Sequence, residues 1–120
     1  MSAVKLTADA RFRLRITRGR DIAVGPGKID LLEAIAATGS ITSAAKQLGM
    51  SYRRAWLLVD TMNRNFREPV VSAETGGARG GGTALTETGQ AVVRLYREAE
   101  ARAAKGAARE LAALARLLRP

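Results

Sequence analysis

A mainly α-helical fold with a small β component is predicted for this 120-residue chain, on three observations. Apolar residues recur at helical spacing through most of its length. Two short β-like stretches, each with a turn signal, stand apart from those helices. Between residues 39 and 55 a short helix, a glycine turn and another helix follow one another with almost no connecting chain.

The elements read in order as follows. Phe12-Arg13-Leu14-Arg15-Ile16 alternates apolar and basic residues, the period of a half-buried strand, with Arg13 and Arg15 on its polar face. Gly19 marks a turn, and Ile22-Ala23-Val24 returns as a second short strand that Gly25-Pro26-Gly27 stops. From about Lys28 a first helix carries Ile29, Leu32, Ile35 and Ala36 on its core side, and Thr38-Gly39 ends it. Ser40 caps a short second helix from Ile41 to Gln47, whose paired Ala44 and Ala45 allow another helix to cross closely. Leu48 is expected to pack inward and Gly49 to make the turn. Ser51 then caps a third helix from Tyr52 to about Phe66, with Ala55, Val59, Met62 and Phe66 as its core stripe. Pro69 closes that helix. Val70 to Glu74 and Thr83 to Leu85 form a hairpin around a glycine-rich tip with Arg79 at its centre. Thr86 caps a last helix that runs without proline to about Leu118, about 48 Å at 1.5 Å per residue. Such a length cannot be buried against one small domain, so residues 1–86 and 87–120 are expected to have separate roles.

Composition limits what these elements can do. Lys+Arg number 20 against 11 Asp+Glu, a formal charge of +9, which attracts polyanions. Only Lys5, Lys28, Lys46 and Lys105 among the basic residues are lysine; the rest are arginine, suited to bidentate phosphate and guanine contacts. The chain has no His and no Cys, which excludes a Cys/His zinc site, a histidine base, a cysteine nucleophile and a disulfide framework. No catalytic, metal-ligating or cofactor-binding residues are assigned, and an enzyme is not expected. Gly77 to Thr83 has a phosphate-loop flavour but lacks the Lys and leads into a strand, so no nucleotide site is expected there. Met1 to Ala10 holds no apolar run, and nothing is apolar enough to span a membrane, so cytoplasm is the expected location.

The strongest signal is Gly39 to Ala55. A short helix with Ala-Ala, then Leu-Gly-Met-Ser, then a helix opening on exposed polar residues is the grammar of a helix-turn-helix. The third helix is then a recognition helix, and the following hairpin a wing. The residues expected at double-stranded DNA are Ser40, Thr42 and Lys46 on the second helix, Ser51, Tyr52, Arg53 and Arg54 at the start of the third, and Arg79 on the wing. Trp56 is expected to pack beside the core stripe rather than on DNA. The last helix carries Val92, Leu95, Tyr96, Ala99, Ala103, Leu111, Leu114 and Leu118 at spacings of three or four, a stripe suited to pairing with a second copy.

The residues also carry a family resemblance. Gly39 to Asn63, with Ser51-Tyr52-Arg53-Arg54-Ala55-Trp56 and Asp60-Thr61-Met62-Asn63, resembles the DNA-binding domain of ModE-type molybdate-responsive transcription regulators. Thr75-Gly76-Gly77-Ala78-Arg79-Gly80-Gly81-Gly82-Thr83, followed by Gly89-Gln90, resembles that family's wing and the start of its linker helix. The resemblance spans roughly residues 12 to 100. It implies a winged helix related to LysR-type domains, a homodimer formed through the long helix, and binding to palindromic operator DNA, often to repress molybdate-uptake genes. Full-length members bind molybdate in further domains; the long helix takes up everything after Thr86, so molybdate sensing is not expected within these residues. The alternative is a non-specific nucleoid-associated or RNA-binding protein using the same charge without base readout.

Overall fold

The computed structural model describes residues 10–74 and 82–120. In chain order the elements are β1 (Ile16–Arg18), β2 (Asp21–Val24), α1 (Pro26–Thr38), α2 (Ile41–Gln47), α3 (Tyr52–Asn65), β3 (Val71–Glu74), β4 (Gly82–Leu85), α4 (Glu87–Gly106) and α5 (Ala108–Arg116). Two separate antiparallel hairpins, β1–β2 and β3–β4, flank the helices. The described chain measures 56 × 31 × 24 Å, its long axis reflecting the C-terminal helices.

Proline at the start of α1 forfeits no hydrogen bond there and presets the helical φ. α1 then buries Ile29, Leu31, Leu32, Ala34 and Ile35. It is the central helix, touched by α2, α3, α4 and β4, so its buried face is wider than one stripe and includes Leu31 and Ala34. Ala36, expected inside, is exposed. The helix ends at Gly39, whose φ of 73° is left-handed. Ser40, Ser51 and Thr86 each cap the helix that follows, their hydroxyls accepting from the backbone amides of Ser43, Arg54 and Gly89.

The first strand, Leu48 and the C-terminal helix also differ from what the sequence predicts. The first strand lies at Ile16–Arg18, not Phe12–Ile16, because the turn at Gly19 pairs Arg18 with Asp21 and β2 is only four residues long. Its partner residues are exhausted at Val24, leaving 12–15 without a strand neighbour. Leu14 instead packs against the core, and its carbonyl accepts from the Tyr96 hydroxyl at 2.8 Å. Leu48 is 37% exposed rather than inward, since it is the last residue before the turn and has left the face of α2 that holds Ala44 and Ala45. The C-terminal helix is interrupted at Ala107, immediately after Gly106, a residue with low helix propensity.

α4 is fastened to the domain at successive turns. Gly89 lies so close to β3's approach that a Cβ would sit 2.0 Å from the Val70 carbonyl oxygen. Tyr96 is 3% exposed, in the core. Arg97 donates from Nη2 to Glu33 at 2.6 Å and to Asp30 at 3.1 Å on α1, and from Nη1 to Glu100 at 2.8 Å. Beyond Glu100 the helix leaves the core.

Two glycines of α4 therefore respond oppositely to the same change. Gly89→Ala forces the α4–Val70 crossing apart and is expected to cost about 3 kcal/mol. Gly106→Ala meets open space in a helix and is expected to stabilise by about 0.5–1 kcal/mol. Urea unfolding of the two variants gives both signs; equal effects would contradict the packing described.

Candidate nucleic-acid interface

The turn between α2 and α3 is set by backbone geometry. Gly49 has φ 69°, its amide donates to the Lys46 carbonyl, and the Met50 amide reaches back to Ala45 at 3.0 Å. That is the paired closure of a Schellman motif, which needs a left-handed residue at the Gly49 position. Ser51 then restarts the chain as α3, its hydroxyl accepting from the Arg54 amide at 3.1 Å. Ala44, Ala45 and Ala55 are buried together between the two helices, small enough for close packing.

At about 100° per residue α3 divides into faces. Ala55, Val59 and Met62 face the core. Asn63 marks the flank toward β3, where its amide side chain accepts from the Val70 amide at 2.8 Å and the Val71 amide at 3.3 Å. Trp56 and Tyr52 share that flank, two and three turns earlier. Asn65 marks the opposite flank, where it donates to Asp21 of β2 and accepts from Arg18 Nε, both at 2.9 Å. Arg54 shares this second flank and is near enough to Lys28 to disfavour its charge. Lys28 Nζ donates to the Ile22 carbonyl at 2.7 Å. Its pKa is lowered, first by burial and further by Arg54, with Asp21 opposing both. Arg53, Leu57, Asp60 and Arg64 make up the outer ridge, opposite the core. Arg64 donates to Asp60 at 3.1 Å, so those two charges offset each other.

The residues singled out in the sequence distribute accordingly. Tyr52, Arg53 and Arg54 are exposed together at the start of α3; Thr42 and Lys46 are exposed on α2. The hydroxyls of Ser40 and Ser51 hold helix ends. Arg79 lies outside the described residues. Trp56, expected against the core stripe, is 46% exposed, because its position falls about a quarter turn from Ala55–Val59–Met62. Sequence reasoning passed over Lys28, Leu57 and the Asp60–Arg64 pair. Leu57 was legible on a helical wheel as the apolar residue standing nearly opposite the core stripe.

On α4 and α5 the proposed pairing stripe is split. Tyr96 is withdrawn into the core of its own chain, so it is corrected from a pairing residue to a core one. Val92 also packs against that core. Leu95, Leu114 and Leu118 are exposed, as are Ala99 and Ala103, and Leu111 is half-buried. Phe12, Leu14, Ala99 and Ala103 line a groove of about 320 Å³ between the N-terminal segment and α4. No helix among the described residues is long and apolar enough to cross a membrane.

Residues 27–90 match the family described as bacterial regulatory helix-turn-helix protein, lysR family. The chain is 45% identical over 92 residues to the molybdenum transport protein ModE of Azotobacter vinelandii, covering 75% of this chain and 34% of that protein. It is 38% identical over 87 residues to the DNA-binding transcriptional dual regulator ModE of Escherichia coli K12, covering 72% and 33%. It thus spans about a third of the length of these curated relatives. The crystal structure of the CbnR DNA-binding domain in complex with DNA superposes with a TM-score of 0.56 at 22% identity, covering 73% of this chain and 95% of that one, a likeness of fold.

The relocation of Tyr96 has a measurable consequence. Burial, then the Glu100 charge, raise its pKa above the usual phenol value of 10.0. The neutral phenol is thus favoured in the folded chain, and its contribution holds below pH 10 and fades as pH rises through the folded value. Tyr96→Phe is expected to cost about 1 kcal/mol at neutral pH through loss of the bond to Leu14. The gap between wild type and variant should close above about pH 10. Thermal melts across pH 7 to 11 test this; a pH-independent gap would contradict it.

Proposed function

Since the chain belongs to the lysR family of bacterial regulatory helix-turn-helix proteins, we propose that it is a sequence-specific DNA-binding transcription regulator, with α3 entering the major groove of its operator. The observation that carries this reading is the outer ridge of α3, where Arg53 projects, exposed, from a first turn held by the Ser51 cap. A major groove about 12 Å wide admits a helix presented in this way, and an arginine there pairs with both acceptors of guanine. Arg54 and Lys28, on the flank toward β2, meet phosphate. Tyr52, Thr42 and Lys46 add backbone contacts, while Ser40 and Ser51 act by holding the helix ends in place. Arg79 adds a wing contact to backbone or minor groove.

In this reading residues 1–86 are the DNA-binding unit and 87–120 the pairing helix, with the first turns of α4 shared between the two. Leu95, Ala99, Ala103, Leu111, Leu114 and Leu118 join two copies, giving a homodimer suited to a palindromic operator. The names of curated relatives, a molybdenum transport protein among them, support molybdenum-related genes as targets; repression, exerted in the cytoplasm, is the mode of action proposed.

Two experiments test the reading. Arg53→Ala is expected to weaken operator binding by about 1–3 kcal/mol more than binding to random DNA. Arg54→Ala should weaken both by the same factor and reduce the log–log salt slope by about one per protomer. Titrations on both DNAs at several salt concentrations separate these; identical behaviour of the two variants would contradict the assigned faces. Separately, Leu114→Glu with Leu118→Glu should sediment as a monomer and bind a two-half-site operator about 10²-fold more weakly. A folded double variant that stays dimeric would remove the pairing role from α5.

A further inference from the structure

The outer ridge of α3 holds one residue that neither base hydrogen bonding nor core packing explains. Leu57 is 46% exposed, on the same ridge as Arg53 and one turn further along. Trp56 beside it is equally exposed, and its indole N–H has no hydrogen-bond partner among the described residues. The next turn of the ridge carries Asp60 and Arg64, already paired with each other. The apolar pair is therefore bracketed by the Arg53 guanidinium, which has no partner among the described residues, on one side and a neutralised ion pair on the other. Keeping a leucine and a tryptophan in water forgoes their burial energy on folding. Substituting polar residues would cost the core nothing, since the core stripe runs through Ala55, Val59 and Met62.

The charge around this patch restricts what covers it. The chain carries +9, and the ridge opens with Arg53, so the surface suits a polyanion better than an apolar protein face. The major groove has a single apolar feature on its base edges, the C5 methyl of thymine. We propose that Leu57, flanked by Trp56, is a specificity-determining residue that packs on a thymine methyl in the groove occupied by α3. This rests on the regulator reading above and adds to it a second base. Four residues of helix advance about 6 Å, and base pairs are spaced about 3.4 Å apart. The thymine therefore lies about two base pairs from the guanine met by Arg53.

Deoxyuridine differs from thymidine only by that methyl, so it isolates the contact. On a duplex carrying the footprinted operator, each thymine is replaced singly by deoxyuridine and binding is titrated. Wild type should lose about fourfold in affinity per methyl at one position in each half-site, and about fifteenfold when both are replaced. Leu57→Ala should bind the thymine and deoxyuridine duplexes equally, with folding verified by circular dichroism. Leu57→Met, which keeps apolar volume, should retain discrimination. Two results would overturn the inference while leaving the regulator reading intact: operator preference with indifference to every deoxyuridine, or a methyl effect undiminished in Leu57→Ala. Loss of all preference for operator over random DNA would instead remove the regulator reading and this inference with it.

Discussion

The crossing at Val70 holds the molecule's functional parts in register. Val70 is fully buried where the end of α3, the start of β3 and the first turn of α4 meet. The Asn63 side chain of α3 accepts from the Val70 and Val71 amides and donates to the Val71 carbonyl. The Val70 carbonyl takes the Thr86 amide at 3.0 Å, and the Thr86 hydroxyl donates to the Pro69 carbonyl at 2.6 Å. Gly89 permits α4 to lie directly on this peptide. α3, the second hairpin and α4 are thus tied to a few backbone atoms. Each uses a polar group that the local chain cannot satisfy alone, which makes the arrangement specific as well as stable.

Much of this arrangement is visible in the sequence because it depends on local stereochemistry. Ser40, Ser51 and Thr86 announce helix starts, and Gly39 and Gly49 supply the left-handed residues that end α1 and α2. Arg53 and Arg54 are legible as exposed because they lie off the Ala55–Val59–Met62 stripe. What was not legible depends on partners distant in the chain. The register of β1 is decided by the length of β2 and the turn, so an alternating pattern beginning at Phe12 places it too early. Leu95 and Tyr96 are adjacent members of one apolar set, yet Tyr96 enters the core while Leu95 faces solvent. Periodicity cannot say which side of a two-sided helix meets its own domain. Trp56 differs for a related reason: a large aromatic beside a core stripe is expected in the core, whereas its angular position about a quarter turn away puts it in solvent.

Charge is sorted across the molecule as well. Asp30, Glu33 and Glu100 gather around Arg97, where α1 and α4 meet. These hydrogen bonds hold the Arg97 guanidinium charge even more firmly than usual, chiefly through Glu33. The ions are partly exposed, so the cluster orients α4 more than it stabilises the fold. Asp60 is matched by Arg64, while Asp21 accepts from the neutral Asn65 amide and keeps its charge on the flank near Lys28, which leaves Arg53 at the start of the α3 ridge with no adjacent carboxylate there.

The link between the α1–α2 corner and the second hairpin reaches further than the amide and hydroxyl bonds from Thr83 to one carbonyl suggest. The Gly39 carbonyl accepts the Thr83 amide at 2.9 Å, and Gly82, with no side chain, lets β4 approach that carbonyl closely. A hairpin of four-residue strands is marginal by itself. Anchored to the end of a central helix, β4 opens only when that corner opens. In the language of hydrogen exchange, the Thr83 amide belongs to the same cooperative unit as the core of α1, and its protection tracks global unfolding rather than local fraying of an edge.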